Sequence, residues 1–134
     1  MESANDKKPM YGVLGIIRED GRLLIILRSK HVRVPLVWCF PGGEIEDGET
    51  QEDALVREMR EELGVDVEPG EFLMTQIKHD GRLVLHCWSA RIVSGVPRPD
   101  PREVATIEWM TPAEIRRAPE MLNGTTDILD RIGL

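Results

Sequence analysis

Glu49, Arg57, Glu58, Glu61 and Glu62 are the residues of this chain best suited to chemistry. All five fall within one run, GEIEDGETQEDALVREMREELGV, residues 43–65. Glu58, Glu61 and Glu62 stand at i, i+3 and i+4, so on a helix their carboxylates share one face. Leu55, Met59 and Leu63, at i, i+4 and i+8, form the neighbouring apolar stripe that docks such a helix on a core. Like charges this close repel, and a hard cation with oxygen ligands offsets that repulsion directly. Mg²⁺ favours a few carboxylates together with substrate phosphate oxygens, so the pattern suits a divalent-metal site acting on a phosphate compound. An isolated glutamate cluster is more often a solvated helix face, with Arg57 and Glu61 as a surface pair.

The elements that must position these residues can be read outward from the run. Thr50 is a good N-cap, with Asp53 three residues on as a near capping box, so a helix is expected from Gln51. Gly64 suits the position just past its end. Upstream, residues 11–17 read as a buried strand, Glu19-Asp20-Gly21 as a turn, and residues 22–27 as a returning strand. Residues 29–36 are polar and basic, a loop at the rim of the site. Residues 37–40 form a short extended run into Pro41-Gly42-Gly43, expected to be a tight turn. Downstream, residues 72–78 and 83–93 read as strands joined by a hairpin around His79-Asp80-Gly81. Residues 94–102, rich in proline, read as loop, and 105–110 as a further strand. Thr111-Pro112-Ala113-Glu114 is a strong helix start, and a last helix is expected over 125–132.

The 134 residues, 41% of them hydrophobic, suit one compact α/β domain spanning 1–134. A formal charge of −7 argues against a wide grip on nucleic-acid backbone, so no nucleic-acid polymer is expected as a partner. No apolar run reaches transmembrane length, and the opening MESANDKKPM has no apolar core of a signal peptide. A cytoplasmic protein without a membrane partner is therefore expected. Cys39 and Cys87 lack metal-site spacing, and reduced core thiols are favoured over a single disulfide between them.

The run from Gly43 to Val65 resembles the signature of the Nudix hydrolases, G-x5-E-x7-R-E-U-x-E-E-x-G-U with U aliphatic, and every fixed position is filled. The resemblance implies a Nudix fold, a mixed β-sheet sandwiched between α-helices, with the signature as loop-helix-loop. It implies Mg²⁺, or Mn²⁺, as cofactor, and attack by water on a nucleoside diphosphate linked to a further group. Carried over by position, Glu61 and Glu62 would be the main metal ligands, and Glu58 a further ligand or the base that orients water. Arg57 would hold the carboxylates in place, with Glu49 bracing the site through it. The carbonyl of Gly42 is a further ligand candidate. Glu103 resembles the second glutamate, outside the signature, that family members use as base or metal ligand; Glu108 is the alternative.

Trp38-Cys39-Phe40-Pro41-Gly42-Gly43, the hairpin start and the Trp109 strand followed by a helix are similar to the small MutT-like enzymes that hydrolyse nucleoside triphosphates. The SQPWPxPxS array of NADH pyrophosphatases is missing. The only tyrosine is Tyr11, and no proline stands near His79 as in ADP-ribose enzymes. The resemblance therefore implies cleavage of a triphosphate to a monophosphate and pyrophosphate. A hydrolase of ADP-ribose, nucleotide sugars or capped RNA is the alternative within this chemistry. A non-catalytic nucleotide or metal sensor is the alternative outside it, although such proteins usually lose signature glutamates. Arg28 is a candidate for phosphate or base. Phe40, His86, Trp88 and Asn123 are candidates for stacking and hydrogen bonding, each with a core or turn role as its alternative. Cys39 stands where oxidised-guanine enzymes are often acidic, which leaves the base open. Homodimers are common in the family.

Overall fold

The structure, a computed structural model, describes residues 8–134. The opening segment, read as lacking a signal-peptide core, lies outside the described residues as far as Lys7. Helix α1 runs from Gln51 to Leu63, the span set by its caps. The Thr50 hydroxyl accepts a hydrogen bond from the Asp53 N–H at 3.1 Å. Gly64 takes a left-handed conformation (φ 66°), and its N–H returns to the carbonyls of the last turn. Leu55, Met59 and Leu63 are fully buried, as their spacing requires.

Strand β1 (Met10–Glu19) organises the sheet. It turns into β2 (Arg22–Arg28) through Asp20 and Gly21, both at positive φ (51° and 76°), the backbone of a two-residue hairpin. β1 and β2 pair only near that turn, at Arg18↔Leu23 and Glu19↔Arg22. Further back, β1 gives the same edge to β4 (Gly42–Glu44), pairing Gly12↔Glu44 through Leu14↔Gly42. Its other edge pairs in parallel with β6 (Leu83–Ser94), and β5 (Asp66–Lys78) closes antiparallel on β6. β2 in turn carries β3 (Trp38–Cys39) and β7 (Val104–Met110). The single sheet is thus mixed, in the order β3-β2-β1-β6-β5 with β4 on β1 and β7 on β2.

Alternate strand residues feed two cores, one on each face. Leu24, Ile26, Val13 and Ile17 pack with the buried stripe of α1. Leu23, Ile25, Ile16 and Cys87 pack with Phe40 and with Ile115, Ile128 and Leu129 of helices α2 (Pro112–Arg117) and α3 (Thr125–Arg131). The sheet therefore lies between α1 and the α2–α3 pair. Thr111 and Glu114 form the full capping box at the start of α2.

Two sequence expectations are corrected. Gly42-Gly43 is not a tight turn but the start of β4, because Gly42 has no Cβ. One there would lie 2.0 Å from the Val13 carbonyl oxygen, so only glycine lets β4 meet β1. β5 begins at Asp66 and not at 72: it passes Pro69-Gly70 through register shifts, which an edge strand tolerates. Cys39 and Cys87 are free and buried. Among the described residues no helix is long and apolar enough to cross a membrane.

Candidate active site

Arg57 is the hub of the signature. Its Nε and Nη2 donate to the two carboxylate oxygens of Glu49, both at 2.8 Å, a bidentate pair. Nη2 also donates to the Glu44 carbonyl at 2.9 Å, while Nη1 donates to Glu58 at 2.9 Å and Glu61 at 3.1 Å. One guanidinium thereby fastens the loop of residues 44–49 to α1 and fixes two helix carboxylates. Arg57, helped by the Glu46 N–H, lowers the pKa of Glu49 to about 2.

Beside this hub, Glu58, Glu62 and Glu103 each offer a carboxylate oxygen, all within 4.8 Å of one another. Glu58 and Glu62 are buried, at 8% and 5% exposure. Glu103 arrives from far along the chain because the loop before it is pinned across the end of α1. The Arg98 N–H donates to the Leu63 carbonyl at 2.8 Å, and the Asp100 N–H to that of Glu62 at 3.1 Å. The Glu62 side chain accepts from the Gly42 N–H at 2.7 Å. Burial, and then the neighbouring Glu58, push the Glu62 carboxyl well above the usual carboxylate range. Burial likewise raises Glu58, opposed by Arg57. Gly43 makes room for the group: a Cβ there would fall 2.4 Å from the Glu58 carboxyl.

This donor set fits a hard divalent cation. Three converging carboxylates carry more negative charge than Arg57 alone neutralises, and oxygen-only ligands suit Mg²⁺ or Mn²⁺. Glu61 lies beside the group, its half-exposed carboxylate turned to Arg57. Gly42 meets the group through its N–H. Glu108, on β7 opposite Ile25, is exposed and outside it.

A cleft of about 650 Å³ opens from Gly42 and Gly43. Arg28 and Phe40 line it, as do Lys78, Leu85 and Leu122. Arg28 holds the loop of residues 29–36 by donating to the carbonyls of Arg33, at 2.6 Å, and Val34, at 3.0 Å. Phe40 is nearly fully buried, and forms both core and cleft wall. Asn123 is exposed, next to the cleft residue Leu122, and its carbonyl accepts from Lys78 Nζ. Trp88 and His86 are not part of this cleft. They line a separate open recess with Gln51 and Phe72, where Trp88 Nε1 donates to Gln51 at 2.8 Å. Strand parity explains the split: Leu85 points to the cleft face, so His86 and Trp88 point to the other. Lys78 escaped the sequence reading, although a lysine closing a half-apolar strand was the available signal.

Comparison with known proteins agrees with this architecture. The NUDIX domain family profile matches residues 6–131. The CTP pyrophosphohydrolase of Escherichia coli K12 is 35% identical over 109 residues, 80% of this chain and 79% of that protein. The 8-oxo-dGTP diphosphatase of Proteus vulgaris is 40% identical over 76 residues, 56% of this chain and 67% of that protein. The crystal structure of a MutT Nudix hydrolase from Burkholderia pseudomallei superposes with a TM-score of 0.81 at 28% identity, covering 94% of this chain and 99% of that one. A filled signature, its helix on a mixed sheet and a match over nearly the whole length together make this chain a MutT-like member of the Nudix hydrolase family.

Proposed function

We propose that the protein is a Mg²⁺-dependent nucleoside triphosphate pyrophosphohydrolase, releasing a nucleoside monophosphate and pyrophosphate. The observation that carries this reading is the cleft of about 650 Å³ that begins at Gly42-Gly43, where the Glu58–Glu62–Glu103 group also meets the chain. Glu58 and Glu62 would hold Mg²⁺ or Mn²⁺, with Glu61 and the Gly42 carbonyl as further ligands by family position. The bound ion would neutralise the phosphate oxygens around the scissile bond and lower the pKa of the attacking water.

The rest is the work of the chain's own groups. Arg57 keeps Glu58 and Glu49 in fixed geometry, and the Gly42 N–H orients Glu62. Glu103, the most open of the three carboxylates, takes the proton from the attacking water. Arg28, within electrostatic reach of Glu62, attracts the phosphate chain to a protein of net charge −7. The names of the CTP and 8-oxo-dGTP relatives support a triphosphate as substrate. Product analysis on a panel of common and oxidised triphosphates, ADP-ribose and nucleotide sugars tests the reading. Monophosphate plus pyrophosphate from a triphosphate is expected; diphosphate plus orthophosphate, or activity confined to ADP-ribose or a sugar nucleotide, would contradict it.

A further inference from the structure

The cleft has two chemically different ends. Along the sheet, Gly42 pairs with Leu14 of β1, whereas Lys78 pairs with Leu83, which stands level with Met10, four residues back along β1. Asp127 and the buried, neutral thiols of Cys39 and Cys87 are the neighbours of Lys78. Leu85, level with Gly12 between the two ends, gives the cleft apolar wall surface together with Leu14, Phe40 and Leu122. A slot with phosphate chemistry at one end and flat apolar walls in the middle suits a nucleobase pointing toward Lys78.

Lys78 is held there by design of the fold. Gln76 and Lys78 are two residues apart on β5 and so share a face. Both reach the turn before α3: Gln76 Nε2 donates to the Gly124 carbonyl at 3.0 Å, and Lys78 Nζ to that of Asn123 at 2.5 Å. Their side chains pack so closely on Gly124 that a Cβ there would lie 2.6 Å from Gln76 Nε2 and 2.9 Å from Lys78 Cε. An ammonium carries three donors, and the Asn123 carbonyl accounts for one. Burial lowers the Lys78 pKa, the mark of a cation short of solvent. A half-buried ammonium at the end of an apolar slot calls for an oxygen acceptor on whatever fills the slot.

We infer that Lys78 determines base specificity: it donates to a carbonyl oxygen of the nucleobase and makes the enzyme prefer cytosine, uracil, thymine and guanine nucleotides over those of adenine. Adenine is the one common base without a carbonyl. Its exocyclic group is an amino donor, which a lysine ammonium repels. The inference rests on the proposed triphosphate reading for the orientation of the nucleotide.

The test is binding of CMP, UMP, GMP and AMP to the wild type, Lys78→Met and Lys78→Arg, alongside kcat/KM for the four triphosphates. The wild type should favour the carbonyl-bearing nucleotides over AMP by about tenfold or more, the range of a charged hydrogen bond. Lys78→Met should lose that ratio while keeping its affinity for AMP, and Lys78→Arg should restore part of it. An equal loss for all four nucleotides, a ratio unchanged in Lys78→Met, or no preference in the wild type would overturn the inference. Base-dependent monophosphate binding that Lys78→Met abolishes, in a protein inactive on every triphosphate, would uphold the lysine's role and reject the hydrolase reading instead.

Discussion

Gly43 and Glu58 compete for one space: the position a Cβ would take on residue 43 lies 2.4 Å from the Glu58 carboxyl. The glycine of the signature is therefore set by a side chain fifteen residues away, and not by a backbone angle. Gly42, its neighbour, is required for a different reason, since its missing Cβ admits the backbone of β1.

The two glycines should separate in mutagenesis. Gly43→Ala should displace the Glu58 carboxylate and lower kcat about a hundredfold, as a misplacement near 1 Å does, with a melting temperature close to wild type. Gly42→Ala should instead break the β4–β1 pairing and lower the melting temperature. Melting curves and kinetics on both variants check this; matching effects from the two would show that the steric roles are not distinct.

Arg57→Lys tests the fork. Lysine cannot span both Glu49 oxygens and the Glu44 carbonyl while also reaching Glu58. Activity should fall by about tenfold or more, mainly in kcat. Ordinary turnover in this variant would mean that a point charge is enough.

How much of this could be read in advance differs by element. α1 and its caps follow from local chemistry, because helix spacing and capping act over a few residues, whereas the pairing of Arg57 with Glu49 is what the family resemblance implies. β4 and the long β5 do not: a glycine pair and a Pro-Gly step read locally as turns, and only the approach of β1 and the pairing with β6 make them strands. Phe72 and Trp88 meet edge to face at 5.9 Å on the α1 side of the sheet. Strand parity could have assigned that face to Trp88, yet the helix that defines it is a tertiary fact. Glu103 joins Glu62 through loop hydrogen bonds at 95–103 for which no sequence period exists.

Without metal, the stability of the protein should depend on the protonation of Glu62. Its folded pKa is raised above the unfolded value by burial. The folded state therefore holds the proton more tightly, and stability is greatest below about pH 4.5 for this group and declines as pH rises toward the folded value. Glu49 works in the opposite sense, its contribution lost as pH falls from about 4.5 toward its folded pKa of about 2. Melting curves in chelator from pH 5 to 8 should fall for the wild type and fall less steeply for Glu62→Gln, where only Glu58 keeps a raised carboxyl pKa. Equal slopes would show that Glu62 does not govern this range.

Thr50→Ala removes the cap of α1 and leaves the Asp53 N–H without its partner. It should cost about 1 kcal/mol of stability, read from denaturant unfolding, with the Mg²⁺ dependence of activity unchanged.

The most direct test is pyrophosphate release from a responsive triphosphate, followed across a Mg²⁺ titration, for the wild type and for Glu62→Gln. The wild type should be silent in chelator and rise to saturation with Mg²⁺. Glu62→Gln should lose a hundredfold or more of that rate, roughly the several kcal/mol that a metal contact contributes at the transition state. A wild-type rate indifferent to chelation, or a Glu62→Gln rate near wild type at all Mg²⁺ concentrations, would contradict the assignment of the glutamate group as the metal site.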